Sequence, residues 1–246
     1  MRAKGRGYPS AVPAAPRLRK TGVWALSMAG HMAHGAAQKL AATDRSQTLS
    51  GDRWIEWSYC LARLSDGPGR TLDFGADVGF LSLGAAYKGH DVVALDRLDV
   101  EHEFSHERVQ FVVGDILDRP LEGQTFDQIV NCSSVEHVGL PGRYESTDRP
   151  DGDLEAMAIM RDALAPHGRM VMTIPIGRDQ VCRPLHRIYG AERLPRLTEG
   201  YTFHEEQYWW KAPGSSEWST TERDTALATE GSESFYSLGL FVLGRS

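Results

Sequence analysis

Three aspartates and a glycine turn are the first residues in this 246-residue chain whose types and spacing could do chemistry. The segment Leu72-Asp73-Phe74-Gly75-Ala76-Asp77-Val78-Gly79-Phe80 joins a short apolar run to a helix-like stretch. Glycines at such a turn let a ligand approach the backbone closely. A dinucleotide fingerprint, G-x-G-x-x-G, would need glycine at positions 75, 77 and 80, and the chain has Gly75, Asp77 and Phe80. The mismatch is informative, because a carboxylate at Asp77 repels a pyrophosphate but suits a cation. Asp96 closes the next apolar run, 21 residues after Gly75. A carboxylate there can accept hydrogen bonds from both hydroxyls of a ribose. Asp115 follows the third run, in Gly114-Asp115-Ile116. There an acid can accept from an adenine amino group while Ile116 packs on the ring. Any one of these acids is as readily a cap or turn residue. Together they describe a pocket for a ligand with a nucleoside, a positive charge and no phosphate. S-adenosylmethionine (SAM), with its ammonium and sulfonium, fits that description.

A second group follows the fourth apolar run. Ser133-Ser134-Val135-Glu136-His137-Val138-Gly139 lies where a methyl group carried on a sulfonium would point. In-line transfer to a hydroxyl requires alignment of the acceptor and removal of its proton. The reference pKa of histidine, near neutrality, makes His137 a candidate base. Glu136 could orient it, hydrogen-bond the substrate, or turn away and pack elsewhere, and Ser133 belongs to the cofactor side. The competing reading is that His137 only caps the next helix or braces the loop. His186, Arg187 and Tyr189 come after the fifth run, and Arg187 could bind a carboxylate or phosphate of the acceptor or belong to a surface or structural ion pair. Trp209, in Tyr208-Trp209-Trp210, could stack on a sugar or aromatic ring, although core packing explains it equally well.

These residues need a frame that brings strand ends together. Strands are expected at Arg70–Phe74, Asp91–Leu95, Val109–Val113, Phe126–Asn131 and Arg169–Ile174, with a last one at Phe235–Leu243. Helices are expected at Gly79–Lys88 and Asp153–Leu164, the second stopped by a Pro166-His167-Gly168 turn. Between Asp96 and Val109 there is room only for a loop or one helical turn. The rhythm predicts an α/β fold, a Rossmann-like, mostly parallel sheet with helices on both faces. Upstream, residues 1–22 read as a flexible basic arm and Trp24 to about Ala42 as a short helix. A further helix starts at Ser50-Gly51-Asp52, carries Trp54, Trp57, Tyr59, Leu61 and Leu64, and stops at Asp66-Gly67-Pro68-Gly69. The expected organisation is thus an arm over 1–22, N-terminal helices over 23–66, and a cofactor-binding domain with substrate-side elements over 67–246.

Asp73-Phe74-Gly75-Ala76-Asp77-Val78-Gly79 resembles motif I of class I SAM-dependent methyltransferases, with Asp77 in place of the usual middle glycine. Cys132–Leu140, Asp151-Gly152-Asp153 and His186-Arg187-Ile188-Tyr189-Gly190 resemble a methyltransferase-like family associated with polysaccharide and secondary-metabolite pathways. The resemblance spans roughly residues 50–210. It implies the fold, SAM as cofactor, and Asp73, Gly75 and Gly79 among the residues that hold it. Some class I methyltransferases carry E-x-x-E-H where this chain has Ser133-x-x-Glu136-His137. The first carboxylate is missing, which argues against a divalent metal; no metal is expected.

Composition sets outer limits. The net charge is −6, so no broad basic face is implied and nucleic acid is not an expected partner. Cys60, Cys132 and Cys182 form no C-x-x-C, which fits a reducing cytoplasm better than a disulfide framework. No apolar run reaches the roughly 18–20 residues that span a bilayer, so no membrane association is expected. The expected partner is a small-molecule acceptor, and a homo-oligomer is compatible with the sequence. Two rival functions remain: a non-catalytic SAM-binding scaffold of the same fold, and an NAD or nucleotide-sugar enzyme, which the failed fingerprint disfavours.

Overall fold

The computed structural model describes residues 52–246 apart from 101, 103, 142, 143, 145, 146 and 216. The arm expected over 1–22 and the helix expected over Trp24–Ala42 lie outside the described residues. Helix α1 (Arg53–Arg63) comes first, followed by β1 (Gly69–Phe74), α2 (Phe80–Tyr87), β2 (His90–Asp96), β3 (Val109–Val113) and β4 (Phe126–Cys132). Then come α3 (Gly152–Ala163), β5 (Leu164–Ile176), a small hairpin of β6 (Gln180–Cys182) and β7 (His186–Ile188), and α4 (Arg193–Leu197). The chain ends in β8 (Tyr201–Lys211), β9 (Trp218–Thr221), α5 (Arg223–Ala228) and β10 (Ser237–Arg245).

Eight strands form one sheet in the order β3-β2-β1-β4-β5-β10-β8-β9. Pairing is parallel from β3 to β5 and antiparallel from β5 through β10 and β8 to β9. The parallel strands are short apolar runs because both their faces are covered. Successive residues go to opposite layers. Val93, Leu95, Ile129, Met170 and Met172 join Met157 and Met160 of α3 on one side. Val92, Val130 and Val171 join Ile55, Tyr59 and Cys60 of α1 and Leu81 and Ala85 of α2 on the other. The buried positions of α1, Ile55, Glu56, Tyr59 and Cys60, form one helical stripe. Between β2 and β3 no helix occurs among the described residues.

Three details differ from the expectation. Pro166-His167-Gly168 lies inside β5 and does not end before it. The ladder jumps there from the pair Phe126–Leu164 to the pair Gln128–Arg169, so the extra residues form a bulge. Tyr208-Trp209-Trp210 is part of β8, and His186-Arg187-Ile188 forms β7.

Candidate active site

The sheet order reverses at β1, whose neighbours are β2 on one side and β4 on the other. Open α/β sheets bind ligands in the crevice outside the carboxyl ends of the strands at such a point. A cavity of about 290 Å³ lies there. Asp73, Gly75 and Asp77 from the first turn line it, as do Asp96, Asp115, Ile116, Ser133 and His137.

The first turn is held open by backbone geometry. Gly75 has φ +73°, and a β-carbon there would sit 2.1 Å from Ser134 Oγ. Gly79 has φ +79° and starts α2. A β-carbon there would meet the rings of Phe104 and Phe111, so its constraint is packing, and it does not line the cavity. Asp77 itself is left-handed at φ 47°. Its N–H donates to Asp96 Oδ2 at 2.9 Å, and Leu98 N–H donates to Asp96 Oδ1 at 2.9 Å. The Asp96 carboxylate is thereby fixed at the end of β2, and each oxygen keeps a further acceptor site for a hydroxyl. Asp115 accepts from the Leu117 N–H at 3.0 Å and pairs with Arg97, whose Nε–H donates to the Tyr144 carbonyl at 2.6 Å. Ile116 is buried beside it.

Asp73 is wholly buried at the end of β1 and accepts from Ser82 Oγ–H at 2.6 Å. Burial pushes its carboxyl up to about 6 from the ordinary 3.8, against the hydrogen bond from Ser82. The folded chain therefore binds more protons than the unfolded one in this window. Stability should fall as pH rises through it, by roughly 3 kcal/mol, and stay level above about 6. Urea unfolding of the wild type and Asp73→Asn across these pH values checks this. The stability difference between the two should change with that sign, and a pH-independent difference would remove the buried charge from the account.

At the other side of the cavity the chain after β4 turns through Ser133, which has φ 47°. Its hydroxyl donates to Glu56 of α1, and Thr173 Oγ1–H of β5 donates to the same Glu56 oxygen at 2.8 Å. The turn Val135–His137 then presents His137 to the cavity. The Nδ1–H of His137 donates to the Leu185 carbonyl at 2.6 Å, which makes Nε2 the lone-pair nitrogen. Nε2 lies 3.8 Å from Glu136 Oε1. Burial pushes the carboxyls of Glu136 and Glu56 up, and Glu136 Oε2 has no hydrogen-bond partner among the described residues. The ring of His186 stands 6.4 Å from that of His137 and 5.3 Å from that of Tyr236.

None of the expected substrate residues, His186 included, lines the cavity, and neither does Glu136. Arg187 is 1% exposed and donates to the carbonyls of Glu136, Val138, Arg149 and Pro150. Tyr189 is buried, and its O–H donates to Asp153 Oδ2 at 3.1 Å. Trp209 packs from β8 against the cluster that contains α1. Sequence reasoning missed Arg53, Trp57, Arg97 and Tyr144, which do line the cavity. The available signals were Arg97 directly after Asp96, and an acid, Glu56, on the apolar stripe of α1.

The lining is compatible with SAM: Asp96 at the end of β2 and Asp115 just after β3 offer carboxylate acceptors to the cavity. The sheet and its crevice define the class I SAM-dependent methyltransferase fold. Similar solved structures include the Burkholderia thailandensis 1,6-didemethyltoxoflavin-N1-methyltransferase with bound S-adenosylhomocysteine (SAH) (TM-score 0.54, 17% identity, 97% of this chain and 94% of that one). The N-methyltransferase NodS from Bradyrhizobium japonicum WM9 with SAH is also similar (TM-score 0.51, 19% identity, 86% and 97%). By sequence, an uncharacterized methyltransferase of Staphylococcus carnosus (strain TM300) is 28% identical over 154 residues, 60% of this chain and 68% of that protein. The chain belongs to the family described as Caenorhabditis protein of unknown function, DUF268, whose profile matches residues 81–226.

Proposed function

We propose that this chain is a SAM-dependent methyltransferase that methylates an oxygen of a small molecule, a sugar or a secondary metabolite. The observation that carries the reading is the acid-lined cavity at the sheet's reversal point with His137 at its edge. Bound there, the cofactor supplies an electrophilic methyl group on a sulfonium. Asp96 accepts from the ribose hydroxyls, Asp115 from the adenine amino group, and Ile116 packs against the ring. His137 Nε2 takes the proton of the acceptor hydroxyl, and the Leu185 carbonyl holds the ring in the tautomer that can do so. Glu136, buried 3.8 Å from that nitrogen and outside the cavity lining, steadies the imidazole and does not touch the acceptor. The similarity to methyltransferases supports the reading, as does an acidic overall charge that leaves nucleic acid an unfavoured partner.

The test is production of SAH and a methylated product from SAM and a panel of sugars and hydroxylated metabolites. Turnover on an alcohol supports the reading. Tight SAH binding with no turnover on any acceptor would favour a scaffold. EDTA should leave the rate unchanged, because Ser133 stands where a first metal-binding carboxylate would be needed. Inhibition reversed by Mg²⁺ would give Glu136 and His137 to a metal. Asp96→Ala should weaken SAH binding about tenfold or more, through loss of charge-assisted hydrogen bonds. Unchanged affinity in calorimetry would place the ribose elsewhere.

A further inference from the structure

One cation in the cavity is not used by this account. Arg53 opens α1 and reaches the cavity with Trp57 of the same helix. Its guanidinium is half exposed and lies 3.9 Å from the Sγ of Cys132, the last residue of β4. It also sits 5.9 Å from the centre of the Trp57 ring. Among the described residues, that long contact to sulfur is its only hydrogen bond. Its nearest carboxylate oxygen, Glu56 Oε2, is 3.6 Å away, beyond hydrogen-bond reach, while Glu56 Oε1 accepts from Ser133, just after β4, and from Thr173 of β5. An arginine has five N–H donors in a fork that matches a carboxylate, so most of these donors are left for a ligand. The cavity's other lining guanidinium, Arg97, is already tied to Asp115 and to the Tyr144 carbonyl.

Polarity along the crevice assigns the ligand. Asp96 and Asp115 stand at the ends of β2 and β3, and Arg53 stands over β4, on the far side of β1. A molecule that puts hydroxyls and an amino group at the acids and a carboxylate at the arginine matches both ends. SAM and SAH have this layout: adenosine at one end, an α-amino acid at the other. We propose that Arg53 anchors the α-carboxylate of the methyl donor, a role that rests on the cofactor reading above. Swinging from Glu56 onto an incoming carboxylate exchanges one ion pair for a better-formed, bidentate one.

The test is calorimetry on the full chain with two ligands, SAH and 5′-methylthioadenosine, which lacks the amino-acid end. Arg53→Gln should weaken SAH about tenfold or more and leave methylthioadenosine unchanged. Arg53→Lys should recover part of the SAH affinity and guards against a Gln variant that misfolds. Equal weakening of both ligands would mean that Arg53 shapes the cavity and binds no carboxylate. Unchanged SAH affinity would also overturn the proposal and release the arginine to the acceptor. If wild-type protein bound methylthioadenosine and SAH equally well, the carboxylate would have no anchor. If it bound neither, the cofactor reading itself would fall with the proposal.

Discussion

His137→Ala is expected to lower kcat by about 10²–10⁴-fold while SAH affinity stays unchanged. The imidazole reaches the cavity from the turn after β4, and its Nδ1–H is taken by the Leu185 carbonyl at 2.6 Å. Nε2 is therefore the nitrogen able to receive a proton. Loss of the ring removes proton transfer but no residue assigned to the nucleoside, which explains the split between rate and affinity. Steady-state kinetics on an identified acceptor, with calorimetry alongside, checks both parts. Full activity would reduce His137 to a structural brace, and a parallel loss of SAH affinity would move it to the cofactor side.

Arg187→Ala is expected to destabilise the chain by about 3–5 kcal/mol, the cost of breaking a buried charge network. The guanidinium is buried against four carbonyl oxygens and lies 3.6 Å from Asp153, which is 0% exposed. Arg193 and Tyr189 also donate to Asp153, so the network ties β7 and α4 to the start of α3. Two of the four carbonyls, Glu136 and Val138, flank His137. Removal leaves those acceptors without donors in an interior that water does not reach. For a domain of this size the melting temperature should fall on the order of 10 °C. A thermal melt unchanged within about 1 kcal/mol would show that the carbonyls find other donors.

The difference between Arg187 as read from sequence and as folded shows where sequence reading stops. From sequence Arg187 reads either as an acceptor-binding group or as half of an ion pair, and a guanidinium is rarely buried. Only the tertiary arrangement, which brings Glu136, Val138, Arg149 and Pro150 against Arg187, supplies the carbonyls that make burial tolerable. The strands β1 to β3 were legible because apolar runs end at glycine and aspartate, and the expected Val109–Val113 is the observed β3. The acids followed from those ends, and the cavity gathers Asp77, Asp96 and Asp115. The hairpin β6–β7 was not legible, since three-residue strands leave no periodicity to detect. Pro166 and Gly168 signal a turn in sequence, yet a bulge absorbs them within β5. On α1 the apolar character was visible, while Glu56 and Arg53 gain meaning only when the helix is laid over the ends of β4 and β5.

The central claim is that the crevice at the ends of β1 and β4 holds SAM and not a dinucleotide. Titration calorimetry of the full chain with SAH and with NAD⁺, under one buffer, tests it most directly. The account predicts micromolar binding of SAH and far weaker binding of NAD⁺, because Asp77 occupies the position where a pyrophosphate needs glycine. NAD⁺ binding as tight as SAH, or no heat from SAH at all, would contradict it.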